Sequence, residues 1–434
     1  MKKQLIFRVM TATALMLALT FSSIAQSNSG TRQLQQQPKQ TQQQPQTQPK
    51  ADNKMPGLKS KEFQRLLRGE TLREYETLKR ERDATIPFEG AGTKANPYKI
   101  KNAANLKKLA DLVNSVTAPY CDIETYYTQT ANIDLSGIKH IPIGAYPRSF
   151  KGRYDGAGFT ISNLRLDDDN AGIEGLFGAV DNNAIIRNVR LTKVFTAIDG
   201  MYVGALAGGS GGTISNCYVS VNNIAGHTYT GGLVGYNLGV ISCCIVTGNG
   251  IVSGFINVGG IAGSNEGVIE NCYTTVRVTA NSGRVGGIAG DNTDGRIQYC
   301  YTTGPVDAVG SSSGDTTGCG GIAGAEGIVR NCVALNKSIT INARDNGIGR
   351  VNGITAGANN YARSNMALQN GNGNLAPTAG LSTKDGENIT ASNYDSPRWW
   401  VTIGFTGEPW LYNPNRMPHL NGFPGLTQNP TVTP

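Results

Sequence analysis

The chain has 434 residues, 56 glycines, 39 Lys/Arg against 31 Asp/Glu, and only three histidines. Its net charge of +8 is uneven: residues 1–25 carry three basic groups and no acid, residues 26–85 carry twelve basic against seven acidic, and residues 86–434 are neutral overall. A nucleic-acid protein concentrates basic charge on its folded domain, so that partner is excluded, and the isolated His140, His227 and His419 exclude an H-E-x-x-H zinc peptidase.

Residues 1–25 read as a signal peptide. Lys2, Lys3 and Arg8 precede an apolar run, Val9 to Leu19, and Ser23-Ile24-Ala25 forms a small-x-small cleavage site. The run is shorter than the ~20 residues that span a bilayer, so no transmembrane span is expected after cleavage. The protein is expected at the cell surface or secreted, with the periplasm as the alternative. Residues 26–55, rich in Gln and Pro, cannot offset chain entropy by burial and read as a disordered linker. Residues 56–85 read as a charged helix, centred on 59–82, with Phe63, Leu66, Leu67, Leu72, Tyr75 and Leu78 apolar and Glu76 and Arg80 at i,i+4 spacing. It either rests on the domain that follows or serves self-association.

Residues 86–170 are read as an N-terminal cap with the first coils, 171–370 as a repeat region, and 371–434 as a C-terminal cap and tail. The repeat is a glycine-bounded phrase. It runs from Gly175-Leu-Phe-Gly178 through Gly204-Ala-Leu-Ala-Gly208 and Gly231-Gly-Leu-Val-Gly235 to Gly-Gly-Ile-Ala-Gly ending at Gly263, Gly290 and Gly324. Steps between closing glycines are 30, 27, 28, 27 and 34 residues, the period of a solenoid whose units bury apolar faces only against neighbours. Within the unit 258–280, Ser264-Asn265-Glu266-Gly267 reads as a turn with Asn and Gly at positive φ. Cys272, Thr274, Val276 and Val278 alternate onto one face. Ile269 and Cys272 stand three apart, which requires a bend at the intervening Asn, a residue that tolerates the left-handed region. Asn188, Asn216, Asn271 and Asn331 are expected to stack along that corner. The fold expected is an all-β, single-stranded, right-handed parallel β-helix.

The chain holds eight cysteines, and the export reading alone suggests disulfides. Cys217, Cys244, Cys272, Cys300 and Cys332, however, fall at one place in successive coils, where parallel side chains hold Cβ atoms beyond disulfide range. A file of inward free thiols is expected, with Cys319 also in the core and Cys121 and Cys243 nearer the surface.

At these residues the chain resembles the GLUG-motif repeat family of exported bacterial β-helix proteins. These include adhesins like filamentous haemagglutinin and the non-catalytic region of IgA-specific metallopeptidases. The resemblance extends over roughly 86–424. It implies that Gly90 to Asn114 form a strand and a short helix with Leu106, Leu109, Leu112 and Val113 inward, and that Phe150 to Leu164 belong to the first coils. It also implies that Trp399, Trp400, Trp410 and Met417 to Leu420 form a closing segment. Phe159 stands where the family often has His.

No catalytic, metal or cofactor residues are assigned. No Gly-x-Ser-x-Gly elbow between a strand and a helix is read, and Asp134, Asp155 and Asp167-Asp168-Asp169 read as turn and cap residues. Tyr218, Tyr273 and Tyr301 each follow a ladder cysteine and are expected to face outward as a ligand-facing column. Trp399, Trp400 and Trp410 are expected to cover the open end of the coil or to stack on sugar rings. The functional expectation is a non-catalytic surface protein for adhesion or recognition of a glycan or a protein. A carbohydrate-active enzyme and a structural element of a surface assembly are the alternatives.

Overall fold

The computed structural model describes residues 87–432 apart from Tyr146, 167–171, 197–198, 310–317, 343–346, 414–415, 427 and 429. The signal peptide, linker and helix read within 1–85, and Asp167-Asp168-Asp169, lie outside the described residues.

The described chain is a β-solenoid of parallel strands. Each coil passes through four walls, and the coil containing Val258 shows the path. Asn257–Gly259 lies in wall 1, Ala262–Asn265 in wall 2, Val268–Glu270 in wall 3, and Tyr273–Thr274 with Arg277–Ala280 in wall 4. Register between coils is direct: Ile269 sits between Ile241 and Ile297, and Tyr273 between Ile245 and Tyr301. Wall 3 is a nine-stranded sheet, and a bridge from Arg330 to Ala358 adds a tenth rung. Edges are thus paired along the whole stack and only the two ends need covering.

Local chemistry accounts for the shape of each coil. Wall-3 strands alternate, so Ile186, Ile214, Ile241, Ile269, Ile297 and Val329 form an inward file, each buried to within about 1%. The chain then bends sharply into wall 4. Asn188, Asn216, Cys243, Asn271, Tyr299, Asn331 and Asn359 all hold φ between 52° and 56° at that bend, which turns the next residue inward. That next residue is Cys217, Cys244, Cys272, Cys300 or Cys332 in five coils, all free and buried. Each thiol donates to the carbonyl two residues earlier, as in Cys272 Sγ to Glu270 O at 3.1 Å. Burial pushes the Cys217, Cys244, Cys272 and Cys300 thiols well above their ordinary pKa, so these four are neutral apolar packing elements.

The Gly-Gly phrase marks close backbone approach between coils. A Cβ on Gly260 would stand 2.1 Å from the Gly287 carbonyl oxygen. The turn at 264–267 departs from expectation, since neither Asn265 nor Gly267 has positive φ. Gly267 is needed because a Cβ there would lie 2.1 Å from Gly239 O. Asn265 is an interior ladder residue: Asn237 Nδ2 donates to Asn265 Oδ1, and Asn265 Nδ2 to Asn292 Oδ1, both at 2.7 Å.

At the N-terminal end, helix α1 (Ala103–Asn114) is capped by Asn102, whose side chain accepts from Asn105 N. It buries Leu106, Leu109, Ala110 and Val113 into the interior cluster. Leu112 is only half-buried, and Ala110 takes the inward place instead. At the other end Arg350, at the position of the second glycine of the phrase, is fully buried. Its guanidinium donates to Asn388 Oδ1 (2.7 Å), Gly386 O (3.0 Å) and Arg363 O (3.3 Å). A charged side chain held by three acceptors thus fills the last coil where the next rung would otherwise pack.

The tryptophans do not close this end. Helices α2 (Ala391–Tyr394) and α3 (Pro397–Thr402), then the described residues between 403 and 432, run back along the outside of wall 4. There they form a second apolar cluster, separate from the interior one, around Trp400, Phe405, Trp410, Met417, Leu420 and Phe423. The expected end cap is therefore a lateral strap. Its aromatic residues pack on Ile245, Tyr273, Tyr301 and Val333, whose side chains leave the coil on the opposite side from the thiol file.

Candidate functional site

The strap decides which sequence-read residues can meet a ligand. Tyr273 and Tyr301 stack at 4.8 Å with planes 4° apart, outside the coil interior as expected, but they are 2% and 0% exposed. Tyr301 Oη donates to Pro418 O (2.6 Å) and Tyr273 Oη to Gln428 Oε1 (2.9 Å). Trp400 and Trp410 meet the Tyr301 ring at 5.4 and 5.8 Å, and Trp410 Nε1 donates to the corner residue Asn271 (3.1 Å). These four are corrected from ligand-facing to structural. Trp399 is half-buried, edge-on to Tyr361. The column is also not one tyrosine per coil, since Ile245 stands between Tyr218 and Tyr273.

Tyr218 is the member that the strap leaves half-open. It borders a cleft of about 460 Å³ between the coil and the end of the strap. Thr247, Thr275 and Thr303 form one wall, with Asn249 at its rim, and Gln428, Pro430 and Thr431 form the other. Thr247 Oγ1 and Thr275 Oγ1 lie 2.8 Å apart, so the hydroxyls make a stacked polar file. No charged side chain lines this cleft among the described residues. The threonines were not singled out from sequence, although a signal exists: each lies three residues after a ladder cysteine, at a step of 28. Gln428 carried no such signal.

Chemistry elsewhere is sparse. Among the described residues no group of three or more His, Cys, Asp or Glu could hold a metal ion. His140 is buried with Nε2 2.9 Å from Leu176 O, and burial draws its pKa down to about 4. On wall 3 a groove of about 340 Å³ brings Tyr126, Arg153, Asp155 and Arg187 together. Asp155 there accepts from Arg187 Nε (2.9 Å), Asn188 Nδ2 (2.9 Å) and Ala157 N (2.8 Å), and Arg153 is engaged by Glu124 at 3.1 Å.

Fold and repeat together define a class, the glycine-punctuated parallel β-helix. Residues 256–279, one full rung from wall 1 into wall 4, match the family model of the GLUG motif. A protein of Evansella cellulosilytica named as a Gly-rich membrane protein is 31% identical over 148 residues, 32% of this chain and 16% of the relative. Halomucin of Haloquadratum walsbyi is 35% identical over 144 residues, 30% of this chain and 2% of the relative. The chain thus spans a small part of the length of either relative. A solved structure from Bacteroides ovatus, named as an immunoglobulin A1 protease, superposes with a TM-score of 0.53 at 22% identity, covering 78% of this chain and 96% of that one. That likeness is one of fold. Among the described residues no helix is long and apolar enough to cross a membrane.

Proposed function

We propose that this is a surface-associated β-helix protein that recognises a neutral carbohydrate through the cleft beside Tyr218. The single observation behind the reading is the lining: a half-open aromatic ring, a file of threonine hydroxyls and two side-chain amides, with no charge. Sugars present exactly such a mixture of hydroxyls and apolar ring faces, and pockets of this kind orient ligands with a few placed polar groups. The signal-peptide reading of residues 1–25 and the names of the two sequence relatives support a place at the cell surface. The test is a glycan array followed by calorimetric titration of the hits. Tyr218→Ala and Thr275→Val should each weaken binding about tenfold, a change of ~1.4 kcal/mol. Absence of any neutral glycan ligand, or binding indifferent to both substitutions, would overturn the reading.

A carbohydrate-active enzyme is the second reading. It is favoured by the wall-3 groove, where Asp155 meets Arg187 and Arg153 lines the same groove. Because hydrogen bonds and ion pairs already occupy these groups, the groove looks built for rigidity, and recognition is preferred. Release of reducing ends from a bound glycan, lost in Asp155→Asn, would reverse that preference.

A further inference from the structure

The threonine file that walls the Tyr218 cleft is longer than the cleft. Side chains along a strand alternate between faces, so the outward position after the tyrosine column is held by Thr247, Thr275 and Thr303. Register carries the same position towards the N-terminus. Ser220 pairs with Thr247. Thr192 and Ser220 directly follow the paired residues Leu191 and Val219, and Ser162 pairs with Thr192. Six successive rungs thus place a hydroxyl at one point of the outer face, and the rung before them places Asp134 there. Five steps of ~4.8 Å make a track of about 24 Å along the solenoid axis. Ser162, Thr192, Ser220, Thr247 and Thr275 are all half-buried, so these hydroxyls belong to the surface and not to the interior.

The two ends of the track differ. On the rung after Thr303 the position falls to Leu335, whose N–H donates to Thr302 O at 2.8 Å. Leu335 is fully buried in the aromatic cluster of the strap, and Thr303 beside it is only 7% exposed. The cleft is closed here. At the other end the strap reaches Arg190, which donates to Pro424 O. Its residues Gln428, Pro430 and Thr431 face Thr247, Thr275 and Thr303 across the cleft, while Ser220, Thr192 and Ser162 lie outside it. The cleft is a blind slot that opens past Tyr218 onto a continuing row of hydroxyls.

A blind slot selects the end of a chain, because a chain passing through would run into Leu335 and the strap. We infer that the cleft takes the terminal sugar of a linear neutral glycan between Thr303 and Gln428. The chain then passes the Tyr218 ring at the mouth and lies along the axis over Ser220, Thr192 and Ser162. This rests on the reading of the Tyr218 cleft as a carbohydrate site and adds the length, direction and end of its ligand. One sugar of an extended polysaccharide advances by nearly one rung, so its hydroxyls keep step with those of the track. An extended peptide would instead need an unpaired strand edge, and the wall-4 strands beneath the track are paired on both sides.

The test is calorimetric titration of the full chain with linear neutral hexasaccharides of glucose, xylose and mannose, the matching trisaccharides, and hexasaccharides carrying a bulky tag at one end or the other. The hexasaccharide that binds should do so at least tenfold more tightly than its trisaccharide. A tag at one end should abolish binding and a tag at the other should be harmless, which names the end that enters the slot. Thr192→Val combined with Ser162→Ala keeps residues that a strand accepts. That variant should weaken the hexasaccharide about tenfold, for two lost hydrogen bonds, and leave the trisaccharide unchanged. The inference fails, with the Tyr218 reading intact, if Tyr218→Ala weakens binding but the trisaccharide binds as tightly as the hexasaccharide, both tagged forms bind like the untagged one, or the double variant binds like the parent. If no saccharide binds, both fail together.

Discussion

Cys243 and Tyr299 stand at the corner where neighbouring coils place asparagine, with φ 54° and 52°. A residue with a Cβ pays about 1–2 kcal/mol for the left-handed conformation, and Asn pays less. Tyr299 is compensated by its edge contact with the Phe405 ring, whereas for Cys243 the substitution Cys243→Asn should stabilise the protein by about 1 kcal/mol, seen as a higher urea midpoint. His140 governs the acid side. It is neutral in the fold with a pKa near 4 because burial disfavours its charged form, while in the unfolded chain it titrates near 6.5. Between those values the unfolded state binds the extra proton, so stability is complete above pH 6.5 and falls as pH drops towards 4, by about 3 kcal/mol. His140→Gln should flatten urea midpoints across that window. Loss at still lower pH belongs to carboxylates such as Asp134, which hydrogen bonds from Asn163 and Ser136 hold at about 2.

At the level of the rung, Asn265 joins three coils. Asn265→Ala would leave Asn237 Nδ2 and Asn292 Oδ1 without their ladder partner in a dry interior, a cost of about 2–4 kcal/mol, measurable by chemical denaturation. Legibility differs between the two asparagine files. The outer-corner Asn could be read because Ile and Cys three apart cannot both point inward without a bend, a purely local conflict. The inner ladder was mistaken for a turn, because a glycine two residues on from Asn265 suggests positive φ, and only the stacking of neighbouring coils shows that Gly267 is there for clearance. Cysteine and isoleucine files were legible for the same local reason, as a fixed step repeats one residue type. What covers Tyr273 and Tyr301 was not legible: their partners Gln428 and Pro418 lie 155 and 117 residues away, in a segment without periodicity. Of the candidate cleft, Tyr218 was anticipated, but its opposite wall belongs to that same segment.

As a whole molecule, a solenoid is nearly one-dimensional, each rung touching only the next, so its ends can fray separately. The strap alters this. It reaches from Tyr361, met by Trp399, back to Arg190, which donates to Pro424 O at 2.7 Å, a run of seven rungs or about 30 Å at the usual strand spacing. Trp410→Ala should cost about 3–5 kcal/mol. Removing residues 397–434 should replace one sharp thermal transition with a broad one and raise binding of a hydrophobic dye, because Ile245, Tyr273, Tyr301 and Val333 lose their cover. The direction of the strap has a further consequence. Synthesis delivers the rungs first and their cover last, so every nascent chain passes through a stage at which an oily stripe runs bare down a finished spindle. Closure over that stripe can come only after the rungs beneath it have been made, and a molecule halted before it would find its nearest substitute in a sister caught at the same stage.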